Sequence, residues 1–187
     1  MLNYNSAIKE NKNYNDLTIK EIVPIMKLNI RGKKTEFFTN VSKILNMILP
    51  TEANTSSTND KLTSIWLSPD EWMIYSNDPI ENNNNSYELE ESIYSNISKN
   101  NLGSISDVTD QFVMINLEGK KIFELLNSGS PFNFNEFKEK KGLTTQTILN
   151  HIDVIIHNKN INNVNLFVRR SFAEHLWSWM NDSARFL

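Results

Sequence analysis

The apolar positions divide the chain into two halves of similar grammar. Residues 25–30 alternate, with Met26, Leu28 and Ile30 on one face, which predicts a strand that Gly32 ends. Phe37, Val41, Ile44, Leu45 and Ile48 recur at helical spacing, and Pro50 stops that helix. Residues 51–60 read as a polar loop. Residues 66–75, W-L-S-P-D-E-W-M-I-Y, place apolar runs on both sides of Ser68-Pro69-Asp70-Glu71. Proline presets φ at the second turn position and aspartate favours turns, so a hairpin is expected. Residues 77–86 form a second loop, and Leu89, Ile93 and Ile97 mark a second helix.

The second half opens at Gly103. Residues 105–108 and 112–117 read as strands, and a short helix carries Ile122, Phe123, Leu125 and Leu126, with Gly129 where a C-terminal cap belongs. Residues 130–142 are irregular. Residues 144–157 read as strand broken near Asn150, residues 164–168 as another strand, and the last helix runs from Ser171 to about Ser183. Ser171 and Glu174 fit a capping box at its start. An internal echo joins the halves: L-N-I-R-G-K-K at 28–34 matches I-N-L-E-G-K-K at 115–121, each a strand running into a helix. The fold class is therefore α+β, as two lobes of residues 17–102 and 103–187 in one compact unit. Residues 1–16 are polar and rich in Asn and Lys, and are expected to be a mobile tail or an arm ordered by a partner.

Charge and composition narrow the function. The 187 residues carry a net charge of −3, the opposite sign from a protein that neutralises phosphates, so no nucleic-acid partner is expected. There is no cysteine, which removes thiol catalysis, disulfides and thiolate metal sites. No run approaches the ~20 apolar residues of a membrane helix, and the first ten residues lack the apolar run of a signal peptide. A cytoplasmic location without a membrane partner follows as the expectation. Asparagine and lysine are abundant, which reads as compositional bias.

Few residues offer chemistry. The five glycines are too scattered for a dinucleotide fingerprint, a P-loop or a nucleophile elbow. His151, Asp153 and His157 share one strand face by parity, but the two histidines would stand ~20 Å apart at ~3.3 Å per residue, too far to hold one ion; a solvent or interface face is favoured. His175, on the last helix, reads as structural or interfacial. Asp107 and Asp110 bracket D-V-T-D, where local backbone bonding is favoured over acid–base work. Only four of the 19 basic residues are arginine. Arg169 and Arg170 are adjacent at a strand end and point to opposite sides, so one suits an internal pair and the other a partner carboxylate. On the last helix Phe172, Leu176, Trp179 and Met180 form a stripe that Ala173 and Trp177 widen, more than one buried face requires. Trp66, Trp72, Arg169, Arg170, Trp177 and Trp179 are thus the candidate partner-interface residues. No catalytic, cofactor-binding or metal residue is assigned.

The hairpin W-L-S-P-D-E-W and the terminal R-S-F-A with W-x-W at 177–179 resemble the gamma subunit of heterotetrameric sarcosine oxidase. I-R-G at 30–32, L-P-x-x-A-N at 49–54, S-G-S-P-F at 128–132 and T-x-T at 145–147 extend the resemblance from about Leu17 to the C-terminus. Residues 107–126 also resemble the opening of the glycine-cleavage aminomethyltransferase fold, with Lys121 where a small residue is usual. The resemblance implies two ferredoxin-like lobes with mixed or antiparallel sheets, like the N-terminal part of that folate-binding fold. It implies a complex that demethylates sarcosine oxidatively to glycine and passes the one-carbon unit to tetrahydrofolate. FAD, FMN, NAD, tetrahydrofolate and zinc would sit in other subunits. This chain would bind none of them and would have no activity of its own. Its partners would be the alpha, beta and delta subunits, mainly alpha. The alternative is a stand-alone, folate-binding, aminomethyltransferase-like enzyme. A third reading, an RNA-modification accessory, is disfavoured by the acidic balance.

Overall fold

The computed structural model describes residues 5–8, 10–22, 25–78 and 85–187. The chain divides into two units, Met1–Val23 with Gln111–Leu187 (the terminal unit) and Pro24–Asp110 (the central unit). It opens with β1 (Lys12–Tyr14) and β2 (Leu17–Glu21), which belong to the terminal unit.

The central unit runs β3 (Lys27–Gly32), α1 (Thr35–Leu45), β4 (Ser56–Thr58), β5 (Leu62–Ser68), β6 (Glu71–Ser76), α2 (Asn85–Ile93) and β7 (Gly103–Asp107). A π-helical turn, Tyr94–Ser98, follows α2 directly. Its antiparallel sheet has the order β4-β5-β6-β3-β7. Leu28 and Ile30 alternate on β3 opposite Ile74 and Trp72 on β6, and this face packs on Phe37, Val41 and Leu45 of α1 and on Ile93 and Ile97. Helix α1 stops at Leu45 because Asn46 turns left-handed (φ 48) and its N–H closes on the last turn. Ile48, placed on the helix by its spacing, lies beyond it and is exposed. The expected tryptophan hairpin is β5–β6: Trp66 faces Trp72, and the Ser68 hydroxyl donates to Asp70 Oδ1 at 2.9 Å. Residues 56–58, read as loop, add the short edge strand β4. Gly32 and Gly103 are cross-strand partners, and the Phe37 ring occupies the space that a Cβ on either would need.

The terminal unit continues with β8 (Phe112–Glu118), α3 (Ile122–Gly129), β9 (Thr144–Leu149), β10 (Ile152–Asn160), β11 (Asn163–Arg169) and α4 (Arg170–Ala184). The 3₁₀ turn Phe137–Glu139 lies in the otherwise irregular segment before β9. The sheet order is β1-β2-β8-β11-β10-β9, again antiparallel in every recorded pairing. Val113, Ile115, Leu117, Val154, Ile156, Val164, Leu166 and Val168 form one face with the apolar sides of α3 and α4. The opposite face is buried too, and carries Met114, Ile155 and Phe167.

Written side by side, β4-β5-β6-β3-β7 and β9-β10-β11-β8-β2 match position for position, with α1 and α3, and α2 and α4, in equivalent places. The internal echo marks the two corresponding strands, β3 and β8. Without β4 or β9 the central order is the strand–helix–strand–strand–helix–strand of a ferredoxin-like unit. One strand is drawn from a different place: β7 follows α2, but its counterpart β2 precedes β8. The lobe boundaries expected at 17 and 103 are therefore corrected to 24 and 111. Strand β2 pairs with β8, and β7 pairs with β3, so each joins the unit opposite to its sequence neighbourhood.

The described part of residues 1–16 is held in place, contrary to a mobile tail. Strand β1 pairs with β2, the Glu21 carboxylate accepts N–H groups of Ala7 and Ile8 at 3.0 Å, and the Tyr14 hydroxyl bonds the side chain of Asn181. Residues 1–4 and 9 lie outside the described residues. The capping box of the last helix does not form: the N-cap is Arg169, without a side-chain cap bond, and Ser171 is exposed. Among the described residues, no helix is long and apolar enough to cross a membrane.

Gly119 fixes the entry of β2 beside β8. Its φ is +127, and a Cβ there would lie 2.1 Å from the Asp16 carbonyl oxygen. Gly119→Ala is expected to cost about 1–3 kcal/mol, through strain and overpacking together. Urea unfolding checks this; an unchanged midpoint would mean that the β2–β8 corner is not fixed there.

Candidate functional site

Among the described residues no three ligating side chains stand close enough to hold a metal. His151 lies in the turn between β9 and β10, with φ 65. It does not continue the face of Asp153 and His157. Asp153 is exposed, but His157 is buried, a correction to the solvent or interface face expected for it. His157 belongs to a polar row across the terminal sheet. Cross-strand pairing places Asn116 beside Asn165, Asn165 beside His157, and His157 beside Thr144, all four buried. Asn116 Nδ2 donates to Asn165 Oδ1 at 2.8 Å. Burial, with Lys159 second, lowers the His157 pKa to about 4 and keeps the imidazole neutral.

Asp107 and Asp110 follow the turn reading. Asp107 Oδ1 accepts the Thr109 N–H at 2.8 Å, and the Thr109 carbonyl accepts from the buried Lys27 ammonium at 3.0 Å. Asp70, in the hairpin turn, is lowered in pKa by the Ser68 hydroxyl and then by Lys33 and Arg31. The same cations lie 3.5 Å from it and pin the turn to the end of β3.

The six candidate interface residues separate clearly. Trp72 is 1% exposed and donates its indole N–H to the Pro50 carbonyl at 2.7 Å, so it is a core residue and is removed from the surface set. Trp177, at 6% exposed, belongs to the core of the terminal unit. Its indole nitrogen has no hydrogen-bond partner among the described residues. Trp66 is half-buried against the central core. Arg170 turns inward along the chain and bonds the Asn5 carbonyl. Arg169 is exposed, lies over the Phe112 ring at 5.8 Å, and makes no ion pair among the described residues. The two adjacent arginines thus make different contacts, and because Arg170 opens α4 strand parity does not relate them. Trp179 is half-buried and its ring covers Gly129, where a Cβ would meet it at 2.4 Å.

The wide apolar stripe of the last helix resolves into two faces. Ala173, Leu176, Trp177, Met180 and Ala184 face the core, whereas Phe172 is 49% exposed and Trp179 lies seven residues on. Phe172 is therefore not part of the buried stripe.

Two openings flank Ile148 of β9. A cleft of about 360 Å³ is lined by Ser128–Pro131 side, Ile148, His151 and Trp179. A groove of about 400 Å³ is lined by Phe112, Ile148, Asp153, Ile155 and Arg169. The sequence pointed to Arg169 and Trp179 but not to Ile148, which borders both openings. The signals available were the S-G-S-P-F and T-x-T segments, and the structure brings these together: Ser130 Oγ lies 3.2 Å from Thr147 Oγ1. The two openings lie on opposite sides of β9, and the Ile148 side chain shares the groove with Arg169, whose guanidinium makes no ion pair among the described residues; a cation beside aliphatic and aromatic side chains is the chemistry of a protein contact.

The model of the sarcosine oxidase, gamma subunit family matches residues 31–185. A chain of heterotetrameric sarcosine oxidase from Corynebacterium sp. U-96, in complex with pyrrole 2-carboxylate, is similar with TM-score 0.80 and 18% identity, over 90% of this chain and 84% of that one. Glycine cleavage system aminomethyltransferase T from Bartonella henselae is similar with TM-score 0.63 and 13% identity, over 88% of this chain and 45% of that one. These two likenesses are likenesses of fold. No curated protein matches by sequence.

The buried imidazole predicts a pH dependence of stability. Above the ordinary value of 6.5, folded and unfolded chains both hold His157 neutral. Between 6.5 and about 4 the unfolded chain takes up a proton that the folded chain refuses. Stability therefore falls as pH falls through that window, by about 3 kcal/mol at the limit. Urea titrations at pH 7.5 and 4.5 should show this loss in the native chain and a smaller one in His157→Gln. Equal losses in both would place the acid sensitivity elsewhere.

Proposed function

Because this chain belongs to the sarcosine oxidase gamma subunit family, we propose that it works as a structural subunit of a heterotetrameric sarcosine oxidase, without chemistry of its own. Its partners are the alpha, beta and delta subunits, with alpha the principal contact. FAD, FMN, NAD, tetrahydrofolate and zinc reside in those subunits, and the assembly works in the cytoplasm. There it converts sarcosine to glycine and passes the one-carbon unit to tetrahydrofolate. The observation that carries the reading is family membership over residues 31–185. The groove of Phe112, Ile148, Ile155 and Arg169 supports it, because a guanidinium without an ion pair among the described residues, set beside apolar groups, suits an assembly contact.

A second reading is favoured by the fold shared with aminomethyltransferase T, namely a stand-alone folate-binding protein. This chain spans under half the length of that enzyme, which leaves the reading without the rest of that chain. Titration of the isolated protein with tetrahydrofolate separates the two: saturable binding supports the second reading, and no binding the first.

Arg169→Ala is expected to weaken incorporation into the flavin-bearing complex about 30-fold, the equivalent of about 2 kcal/mol at an interface anchor. Turnover per assembled flavin should be unchanged. Quantitative co-purification, with visible absorbance and sarcosine oxidation assayed on the same fractions, measures both. Full incorporation with slowed turnover would instead give Arg169 a role in the chemistry.

A further inference from the structure

A row of side chains crosses the terminal sheet at the end of the face turned away from α3 and α4. Phe112 pairs with Arg169, and Asp153 with Ile148. Val154 pairs with Val168, so Asp153 and Arg169 stand opposite each other one step further on. Side chains alternate along a strand, so this row shares the face of Met114, Phe167 and Ile155, the next row, which is buried. The outer row is not covered. Arg169, Asp153 and Ile148 are exposed, and with Phe112, Ile155 and Gln146 they line the groove of about 400 Å³.

The two charges in this groove are held apart. The Arg169 guanidinium lies over the Phe112 ring of β8, whereas Asp153 stands on β10, on the other side of β11. Neither charge makes an ion pair or a side-chain hydrogen bond among the described residues. The equivalent corner of the central sheet is closed instead. Asn165 faces Asn116 as Met73 faces Asn29, and four residues beyond them stand Arg169 and Asn77. The Asn77 amide donates to the Asn59 carbonyl at 2.8 Å and accepts from the Thr63 hydroxyl at 2.7 Å. Asn59 Oδ1 accepts the N–H of Lys61, the counterpart of Asp153, at 3.0 Å. One sheet thus seals this corner with its own hydrogen bonds. The other keeps there a guanidinium and a carboxylate that no described residue answers.

We infer that this groove receives a segment of the partner subunit that carries an acidic and a basic side chain side by side, the carboxylate on Arg169 and the cation on Asp153, with an apolar side chain on Ile148 and Ile155. The inference rests on the subunit reading above. A guanidinium takes a carboxylate as a planar fork. A lone carboxylate is the wrong occupant, because Asp153 on the neighbouring strand, with Cβ atoms about 5 Å apart, repels it. A lone cation meets the same obstacle in Arg169. A pair of opposite charges, ordered to match the two strands, answers both. The apolar groups around the pair lower the local dielectric as the partner docks, which strengthens the matched contacts and penalises mismatched ones.

Charge reversal tests this in the complex, with incorporation of the full chain into the flavin-bearing particle read by quantitative co-purification. Asp153→Lys and Arg169→Asp are each expected to reduce incorporation at least about 10-fold, and Asp153→Asn, which keeps the shape, about 3-fold. The swapped chain, Asp153→Arg with Arg169→Asp, should do no better than either single reversal, because the partner's charges are unchanged. Recovery in the swapped chain would show that the two residues serve each other, and would overturn the proposal. Full incorporation of Asp153→Lys would overturn it too, and in both cases the subunit reading stands. Thermal unfolding of each variant establishes that it folds, and where a reversal does not, Asp153→Asn decides. Saturable glycine binding by the isolated full chain, lost in Arg169→Ala, would make a free amino acid the occupant and overturn the proposal. Failure of the native chain to join any flavin-bearing complex would overturn the subunit reading and the proposal together.

Discussion

The pairing of β2 with β8 is the contact on which the terminal unit depends. A sheet of this topology needs a strand antiparallel to its first strand, on the side away from the hairpin. The central unit takes that strand, β7, from the chain just after α2. In the terminal unit the place is filled by β2, ninety-odd residues earlier in sequence than β8. Four cross-strand pairs from Thr18↔Glu118 to Glu21↔Ile115 hold it, with the Lys20 ammonium 3.0 Å from Glu118. Leu17 and Ile19 thereby enter the core with Ile115 and Leu117. That burial outweighs the polar character of the segment before it and brings β1 and Tyr14 into order beside α4.

The two sheets use equivalent positions differently. The Asn116, Asn165 and His157 row has its counterpart in Asn29, Met73 and Ile65 of the central sheet. A buried amide, Asn165, and a neutral imidazole, His157, stand where the central sheet has methionine and isoleucine. Such groups cost stability unless hydrogen-bonded, and the Asn116–Asn165 and Asn116–Asn163 bonds offset part of that cost. The helix-facing side of the same strands is mostly apolar, with Val113, Ile115, Leu117, Val154, Ile156, Val164, Leu166 and Val168, and supplies the compensating burial.

Much of this was legible in sequence where local rules govern. The tryptophan hairpin followed from Pro69-Asp70, the break in the long strand from Asn150, and the duplication from seven echoed residues. The lobe boundaries were not, because strand partners distant in sequence override proximity. Trp72 was misjudged for a related reason. Its distance from Pro50 is closed by the fold, and the carbonyl there satisfies the indole that would otherwise favour a surface. Ile148 was not singled out, since nothing in T-T-Q-T-I-L reveals that the strand lies at an edge.

This chain is, by family, a constituent of a multi-subunit oxidase. Native mass spectrometry of the sarcosine-oxidising particle from the source cell tests that most directly. The account predicts one heteromeric species that contains the 21.7 kDa chain in equal ratio with three partners and releases it intact on gas-phase dissociation. A sarcosine-oxidising particle of full activity without this chain, alongside the chain as a free monomer, would contradict it.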